Sequence, residues 1–490
     1  MQRRLFGLEK EYALLIGGDS EESKTEILLG FIRELPIDFF STDSRNRIYE
    51  AWLGNGSRLY VDQTHPEYAT AECETGYDLV CNERAGDLIL NRLISAYLKA
   101  NPLEKVKLFK SNIAFTKPET GSSPNFESEV TLGSHENYLV SKKTPTHLLE
   151  KTLLPFLITR QIFVGVGHIH PLTHQYLISG RPFHMIESGS LRENRGVALN
   201  AFFVRTTGEI ADIDHNLWRR IQITCSESNM LEFPLWLKFM TAHLCLRLAE
   251  EDLGIKDSKC LKYYSPEIFR EVSRDIFLAG FLTFKSGRKC KALALQRYYL
   301  EQAKKLSPLN SEEKKAIASW EWIIDLLDCD LAQEENLFRL VGVLDWTTKW
   351  WFLTKMMEKN NIPIGSPKIR AMNASYHLIS GVPEESLWLA IEQKNQTSPF
   401  IKKIVKHEDI EEAFNKAPRS RAKFRSEFIK SFKEIKQEGP KIEIMRLNWG
   451  GAWVSVDLKD NFNVNFGTAN PFLSRSKSLE GFRQRYGHGT

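Results

Sequence analysis

Glu9 and Glu11 stand two residues apart in Arg4-Leu5-Phe6-Gly7-Leu8-Glu9-Lys10-Glu11-Tyr12. Side chains two apart on a strand share a face, so this segment would set two carboxylates side by side. Such a pair repels, each raising the other's pKa, unless a cation sits between them. Hard oxygen donors suit magnesium, which often brings nucleotide phosphates with it. A solvent-facing pair beside Lys10 is the alternative. A second cluster reads Arg58-Leu59-Tyr60-Val61-Asp62-Gln63-Thr64-His65-Pro66-Glu67-Tyr68. Asp62 ends a predicted strand, and His65-Pro66 forces an extended or turning backbone. Glu67 is then a candidate third metal carboxylate, a polar loop being the other reading. Gly133-Ser134-His135-Glu136-Asn137-Tyr138 adds His135, either a ligand for metal or phosphate or a hydrogen-bonded structural residue. His168, His170 and His174 are weaker candidates for a transition metal, since no Cys or acid accompanies them. Gly165-Val166-Gly167-His168 lacks the third glycine of a dinucleotide fingerprint and the lysine of a P-loop. No G-x-S-x-G elbow points to acyl-enzyme chemistry.

Strands and a helical body must position these groups. The pattern predicts a strand from Arg4 to Ile16, a turn at Gly17-Gly18-Asp19, and a helix from Glu21 to Leu35. Asn55-Gly56 is a turn signal feeding a strand from Ser57 to Asp62. Asp78 to Ala100 reads as a long amphipathic helix, Val106 to Ala114 as a strand, Pro118 to Asn125 as a loop and Glu127 to Leu132 as a strand. Leu148 to Phe163 is apolar and fits helix or strand. Helices are predicted over Leu231–Asp252, Glu267–Leu278, Ala292–Lys305, Ser311–Cys329 and Leu344–Lys359. A charged helix, Ser420 to Lys436, precedes two short strands, Ile442 to Leu447 and Trp453 to Leu458. Strands, then helices, then strands give an α+β chain, with a catalytic domain over 1–409 and a small C-terminal domain over 410–490.

The 490 residues are 42% hydrophobic and 26% charged, which excludes a fibrous or mostly disordered chain. A net charge of +4 on this length gives no argument for nucleic acid. No apolar run approaches a membrane span, so no membrane partner is expected. The N-terminus lacks the apolar stretch of a signal peptide. Seven scattered cysteines, none spaced C-x-x-C, fit a reducing cytoplasm.

Taken together and in order, these segments resemble the Pup ligase/depupylase family, enzymes that attach or remove the ubiquitin-like protein Pup. The resemblance rests on Arg3 to Tyr12, on Asn55-Gly-Ser-Arg-Leu-Tyr-Val-Asp62 with His65-Pro-Glu67-Tyr68-Ala-Thr, and on Gly133-Ser-His-Glu-Asn-Tyr-Leu139. It continues at Pro155 to Gln161, Arg219-Arg220, Ser228-Asn229-Met230, Leu344-Asp345-Trp346, Tyr376-His377 and Arg421 to Arg425, so it spans essentially the whole chain. It implies a glutamine-synthetase-like fold, a curved antiparallel sheet that cradles ATP and magnesium and is packed with helices.

The chemistry implied is activation of a carboxylate. ATP phosphorylates the side-chain carboxylate of the C-terminal glutamate of a Pup-like carrier, and a lysine of a target protein attacks the acyl phosphate. The resemblance assigns Glu9, Glu11 and Glu67 to magnesium, Asp62 to general base, and Arg220, Arg205 and His135 to nucleotide or metal contacts. In a depupylase-like reaction Asp62 would act as nucleophile or orient water. Only 43 residues separate Glu11 from Asn55, a ligase-like spacing, as is Phe6-Gly7-Leu8-Glu9. Gly133 to Asn137 and the short Asp62–His65 spacing look depupylase-like; the balance favours ligase. Two departures stand out. The family's Asn-Thr-Arg-Asp-Glu-Pro-His-Ala-Asp segment is barely kept in 200–212, where Arg205 is the candidate for its arginine. Its Arg-Arg-Leu-His reads Arg219-Arg220-Ile221-Gln222 here, so Gln222 offers an amide oxygen in place of an imidazole. Hydrolysis of an isopeptide, amide or phosphoryl bond, and a weakened module that only binds ATP or a carrier, are the alternatives; so many clustered acids argue against the module.

Overall fold

In the computed structural model the described residues are 3–17, 24–41, 47–115, 129–185, 204–206, 218–255 and 265–420, with parts of 422–430, 443–445 and 455–457. The strand Phe6–Glu11 is the axis of the fold. Its residues alternate: Phe6, Leu8 and Lys10 are 1–2% exposed on one face, while Gly7, Glu9 and Glu11 take the other. It pairs antiparallel with Ser134–Ser141 on one side and with His65–Ala69 on the other. Outward from these lie Trp218–Ile223 and Val204–Thr206 on one flank, and Arg58–Asp62, Glu50–Leu53 and Phe39–Phe40 on the other. All eight strands pair antiparallel.

One face of the sheet is the core. Phe6, Leu8, Tyr138, Val140, Ile221 and Ile223 pack in one buried cluster with residues of the helices Gly76–Ala100, Thr146–Val164 and Glu232–Glu250. The first helix lies close against the sheet at Gly86, where a Cβ would meet the Tyr68 ring at 2.4 Å. The mixed helix and antiparallel sheet is the α+β class expected.

Element boundaries differ from the sequence pattern where tertiary contacts intervene. The expected strand 4–16 is two strands. Tyr12 N–H donates to Pro66 O at 3.0 Å, after which Ala13–Ile16 leaves the main sheet and pairs with Val106–Phe109. The helix expected at 21–35 is a short helix, Thr25–Gly30, running into a 3-10 turn, Phe31–Glu34. The strand expected at 106–114 breaks into Val106–Phe109 and Ile113–Phe115. The ambiguous 148–163 segment is the helix Thr146–Val164, buried nearly all round and hence without alternation. The loop expected at 118–125 lies outside the described residues. In the tail, Glu443–Met445 pairs with Ser455–Asp457. Residue 410 falls inside the helix His407–Asn415, whose Phe414 is fully buried. Among the described residues no helix is long and apolar enough to cross a membrane.

The core face also carries charge. Lys10 Nζ, between the two glutamates in sequence, reaches Glu83 Oε1 at 2.5 Å and Asp87 Oδ1 at 2.8 Å beneath the sheet. Lys110 joins the same two carboxylates, and Tyr12 donates its hydroxyl to Asp87 at 2.7 Å. Burial alone would raise the Asp87 pKa; the charges of Lys10, Lys110 and Arg84 outweigh it and hold the group well below the usual carboxylate range. Stability from such a carboxylate is present above its unfolded pKa and lost as pH falls. Lys10→Met should therefore cost about 3–5 kcal/mol in chemical denaturation at neutral pH. It should also flatten the loss of stability on acidification, because part of the depressed titration disappears.

Candidate active site

The face opposite the core collects the chemistry. Register settles it strand by strand: Glu9 stands opposite His135 and Ala69, Glu11 opposite Glu67, and Tyr60 opposite Glu67. Because paired residues share a face, Glu9, Glu11, Glu67, His135, Tyr60 and Asp62 all project to one side. Asp62 ends Arg58–Asp62 and pairs with His65 across a two-residue turn, in which Gln63 takes a left-handed φ of 52°. The short spacing between Asp62 and His65 is thus a tight hairpin.

Two groups of ligand atoms, each within 4.8 Å of one another, result: Glu9, Glu67 and His135, and Glu11, Asp62 and Glu67. They share Glu67. Gly133 makes room, since a Cβ there would lie 2.7 Å from Glu11 Oε1 and from the His135 ring. Burial and then the charges of Glu9 and Glu11 push the Glu67 carboxyl well above its usual range, against a hydrogen bond from Tyr60 that lowers it. Burial, then Glu67 and Glu9, raise the Tyr60 phenol. Burial lowers His65, with Glu11 and Asp62 opposing. Several oxygen donors whose mutual repulsion is only partly relieved are a donor set that fits a hard divalent cation.

Cations and amides already hold Glu9. Arg220 Nη1 donates to its Oε1 at 3.1 Å, Gln222 Nε2 donates to Oε2 at 2.7 Å, and His135 Nδ1 lies 3.5 Å from Oε2. The sequence offered Gln222 as an oxygen ligand; the structure turns its amide nitrogen to a site carboxylate, so it orients Glu9. Arg205 lies on the outer strand Val204–Thr206, opposite Gln222. His135 joins the acidic group. Two residues not singled out in the sequence belong here. Tyr60 bonds Glu67, and Arg58 lies over the Tyr60 ring at 4.0 Å while pairing with Glu50 at 2.7 Å. The two-residue period from Asp62 back through Tyr60 to Arg58 was the signal for both.

Other candidates fall elsewhere. His170 Nδ1 accepts the amides of Leu172 and Thr173, and so shapes a turn. His168, His170 and His174 form no ligand group among the described residues. A cavity of about 210 Å³ opens at Ala13, two residues past Glu11, and is lined by Leu15, Asn112, Ile113, His168 and Glu227 among others.

The family model described as Pup-ligase protein matches residues 4–449. The Pup–protein ligase of Acidimicrobium ferrooxidans is 28% identical over 491 residues, covering 98% of each chain. That of Paenarthrobacter aurescens is 27% identical over 488 residues, again 98% of each. The fold is similar to the crystal structure of the complex between the prokaryotic ubiquitin-like protein Pup and its ligase PafA. There the TM-score is 0.78 at 26% identity, over 100% of this chain and 92% of that one. The Pup ligase PafA in complex with ADP gives a TM-score of 0.73 at 26% identity, over 89% of both.

The raised Glu67 carboxyl fixes a sign for metal binding. In the metal-free protein the folded state holds this proton where the unfolded chain has lost it. That contribution to stability falls as pH rises through the window above the ordinary carboxylate range, by at most about 1.4 kcal/mol per pH unit. A divalent cation displaces the proton, so stabilisation by magnesium should grow with pH. Thermal melts from about pH 5 to 8, with chelator and with magnesium, should show both trends, and Glu67→Gln should remove them.

Proposed function

The chain belongs to the Pup-ligase protein family, and from that premise we propose how its site works as an ATP-dependent Pup ligase. It joins the side-chain carboxylate of the C-terminal glutamate of a Pup-like carrier to an amine on a target. The observation that carries this reading is the set of carboxylates Glu9, Glu11, Asp62 and Glu67 gathered on one face, with two ligand groups sharing Glu67.

A carboxylate and an amine do not condense readily at neutral pH, because the carboxylate is a poor electrophile and the amine is protonated. ATP removes the first difficulty by making the acyl phosphate. Asp62 removes the second: partly buried at the hairpin end, it can take a proton from an arriving ammonium. Glu9, Glu11 and Glu67, with His135 beside them, would hold magnesium, which when bound neutralises charge on the phosphoryl oxygens. Arg220 and Gln222 keep the Glu9 carboxylate in place. Arg58, held by Glu50 and the Tyr60 ring, is a second cation on this face, and Arg205 is a further candidate for the nucleotide. Lysine side chains are the proposed acceptors, and the cytoplasm, which supplies ATP, the proposed compartment.

The ligase direction is supported by the relatives, which carry the name Pup–protein ligase. Purified protein with ATP, magnesium, a glutamate-ended carrier and lysine-bearing proteins should release ADP and give a carrier–lysine isopeptide by mass spectrometry. Asp62→Asn should lower conjugate formation about 100-fold or more with ADP affinity retained. Cleavage of a preformed conjugate without synthesis would move the enzyme to the hydrolase side. Nucleotide binding without any turnover would leave a binding module.

A further inference from the structure

Arg181 is a buried cation that forms no salt bridge among the described residues. The residue is 1% exposed. Its Nε donates to the Thr224 carbonyl at 3.3 Å, but Nη1 and Nη2 have no hydrogen-bond partner among the described residues. Glu227, which holds the Arg181 backbone amide, does not satisfy its guanidinium. Glu227 spends its carboxylate on three backbone amides, those of Val166 at 3.1 Å, Gly180 at 2.9 Å and Arg181 itself at 3.1 Å. Those contacts fix the Arg181 backbone and leave the outer edge of the guanidinium unoccupied. On the same segment as Thr224, the buried Ser226 hydroxyl also lacks a partner.

The location ties this group to the active site. Thr224 follows the strand Trp218–Ile223, and Ile223 pairs with Glu136. One step further in that register sets Thr224 across from His135, beside Gly133 and the Glu11 carboxylate that fits over it. Glu11 and Glu227 both act on the Arg181 charge from within the protein. A buried, unpaired guanidinium is destabilising in the free protein and demands an anion. Its two free nitrogens form the planar fork that matches a carboxylate.

The ligase reading, on which this inference rests, brings such an anion. A C-terminal glutamate carries two carboxylates into a face that already holds four acids. The side-chain carboxylate becomes an acyl phosphate, whose phosphoryl charge falls to the magnesium that the acids would hold, and then a neutral amide when the amine displaces phosphate. The α-carboxylate stays ionised throughout and needs a cation of its own. We propose that Arg181 receives the α-carboxylate of the carrier's C-terminal glutamate, and so turns the side-chain carboxylate toward the Glu9–Glu11–Glu67 cluster.

The test compares a carrier ending in glutamate with the same carrier whose α-carboxylate alone is an amide, on wild-type enzyme, Arg181→Met and Arg181→Lys. Conjugation rate, carrier affinity by fluorescence anisotropy, ADP affinity and melting temperature are read for each. Wild-type enzyme should prefer the free acid by about tenfold or more. Arg181→Met should lose that preference with ADP affinity unchanged, and its metal-free melting temperature should hold or rise because an uncompensated charge has gone. Arg181→Lys should recover part of the preference. Loss of ADP affinity in place of carrier discrimination would overturn the assignment in favour of a nucleotide phosphate. A lower melting temperature with both carriers equally impaired would overturn it in favour of a structural role. Wild-type enzyme that conjugates both carriers equally would sink the assignment alone, whereas wild-type enzyme that forms no conjugate would sink the ligase reading with it.

Discussion

The buried ammonium of Lys10 is the constraint on which the site depends. A strand can turn only alternate residues to one face. With Lys10 locked to Glu83 and Asp87 beneath the sheet, Glu9 and Glu11 have no choice but the opposite face. The helix Gly76–Ala100 supplies both partners of Lys10, and Gly86 between them lets that helix lie against the Tyr68 ring. A one-residue slip in the central strand would put Lys10 in the acidic cluster and two glutamates in the core. Register is therefore enforced by charge as well as by hydrophobic burial.

What this arrangement creates on the other face is deliberate electrostatic conflict. Four carboxylates meet within a small space, and the protein relieves them only in part. Arg220 and Gln222 satisfy Glu9, while the Tyr60 hydroxyl serves Glu67. The remaining repulsion makes the site receptive to cations, which matches chemistry on phosphates and an incoming ammonium. Arg181 is the complementary case, a buried cation whose Nη1 and Nη2 have no hydrogen-bond partner among the described residues. Both departures from full pairing lie at one end of the sheet, where a substrate of opposite charge would complete each of them.

The far side of the site is braced by the chain beyond residue 410. Arg425 donates to the Gly56 carbonyl at 3.1 Å and forms a buried two-pronged pair with Glu72. Asn55 reaches the Ala413 carbonyl at 3.1 Å. The Asn55-Gly56 turn that launches the strand to Asp62 is thus clamped from outside, and Gly56 has no room for a Cβ, which would lie 2.9 Å from the Ala422 Cβ and 3.2 Å from that of Ala417. Whatever the tail does as a unit, its first turns are part of the support for the proposed base.

By itself, the sequence determined what is local. The spacing of Glu9 and Glu11 and the turn at Asn55-Gly56 each follow from one strand's geometry, and the first was enough to indicate two carboxylates sharing a face. The long helices were legible for the same reason, since an amphipathic stripe is written within one segment. Only the tertiary structure decided what depends on partners far along the chain. Strand 4–16 breaks at Tyr12 because its partner strand ends in the hairpin at His65, and Ala13–Ile16 pairs with Val106–Phe109 instead. The helix 146–164 shows no alternation because every side of it is covered. Gln222 faces Glu9 across 213 residues of sequence, and the solitude of Arg181 is visible only once Glu227 is seen bonding backbone amides. Pairing and desolvation are properties of the packed chain, and no local spacing encodes them.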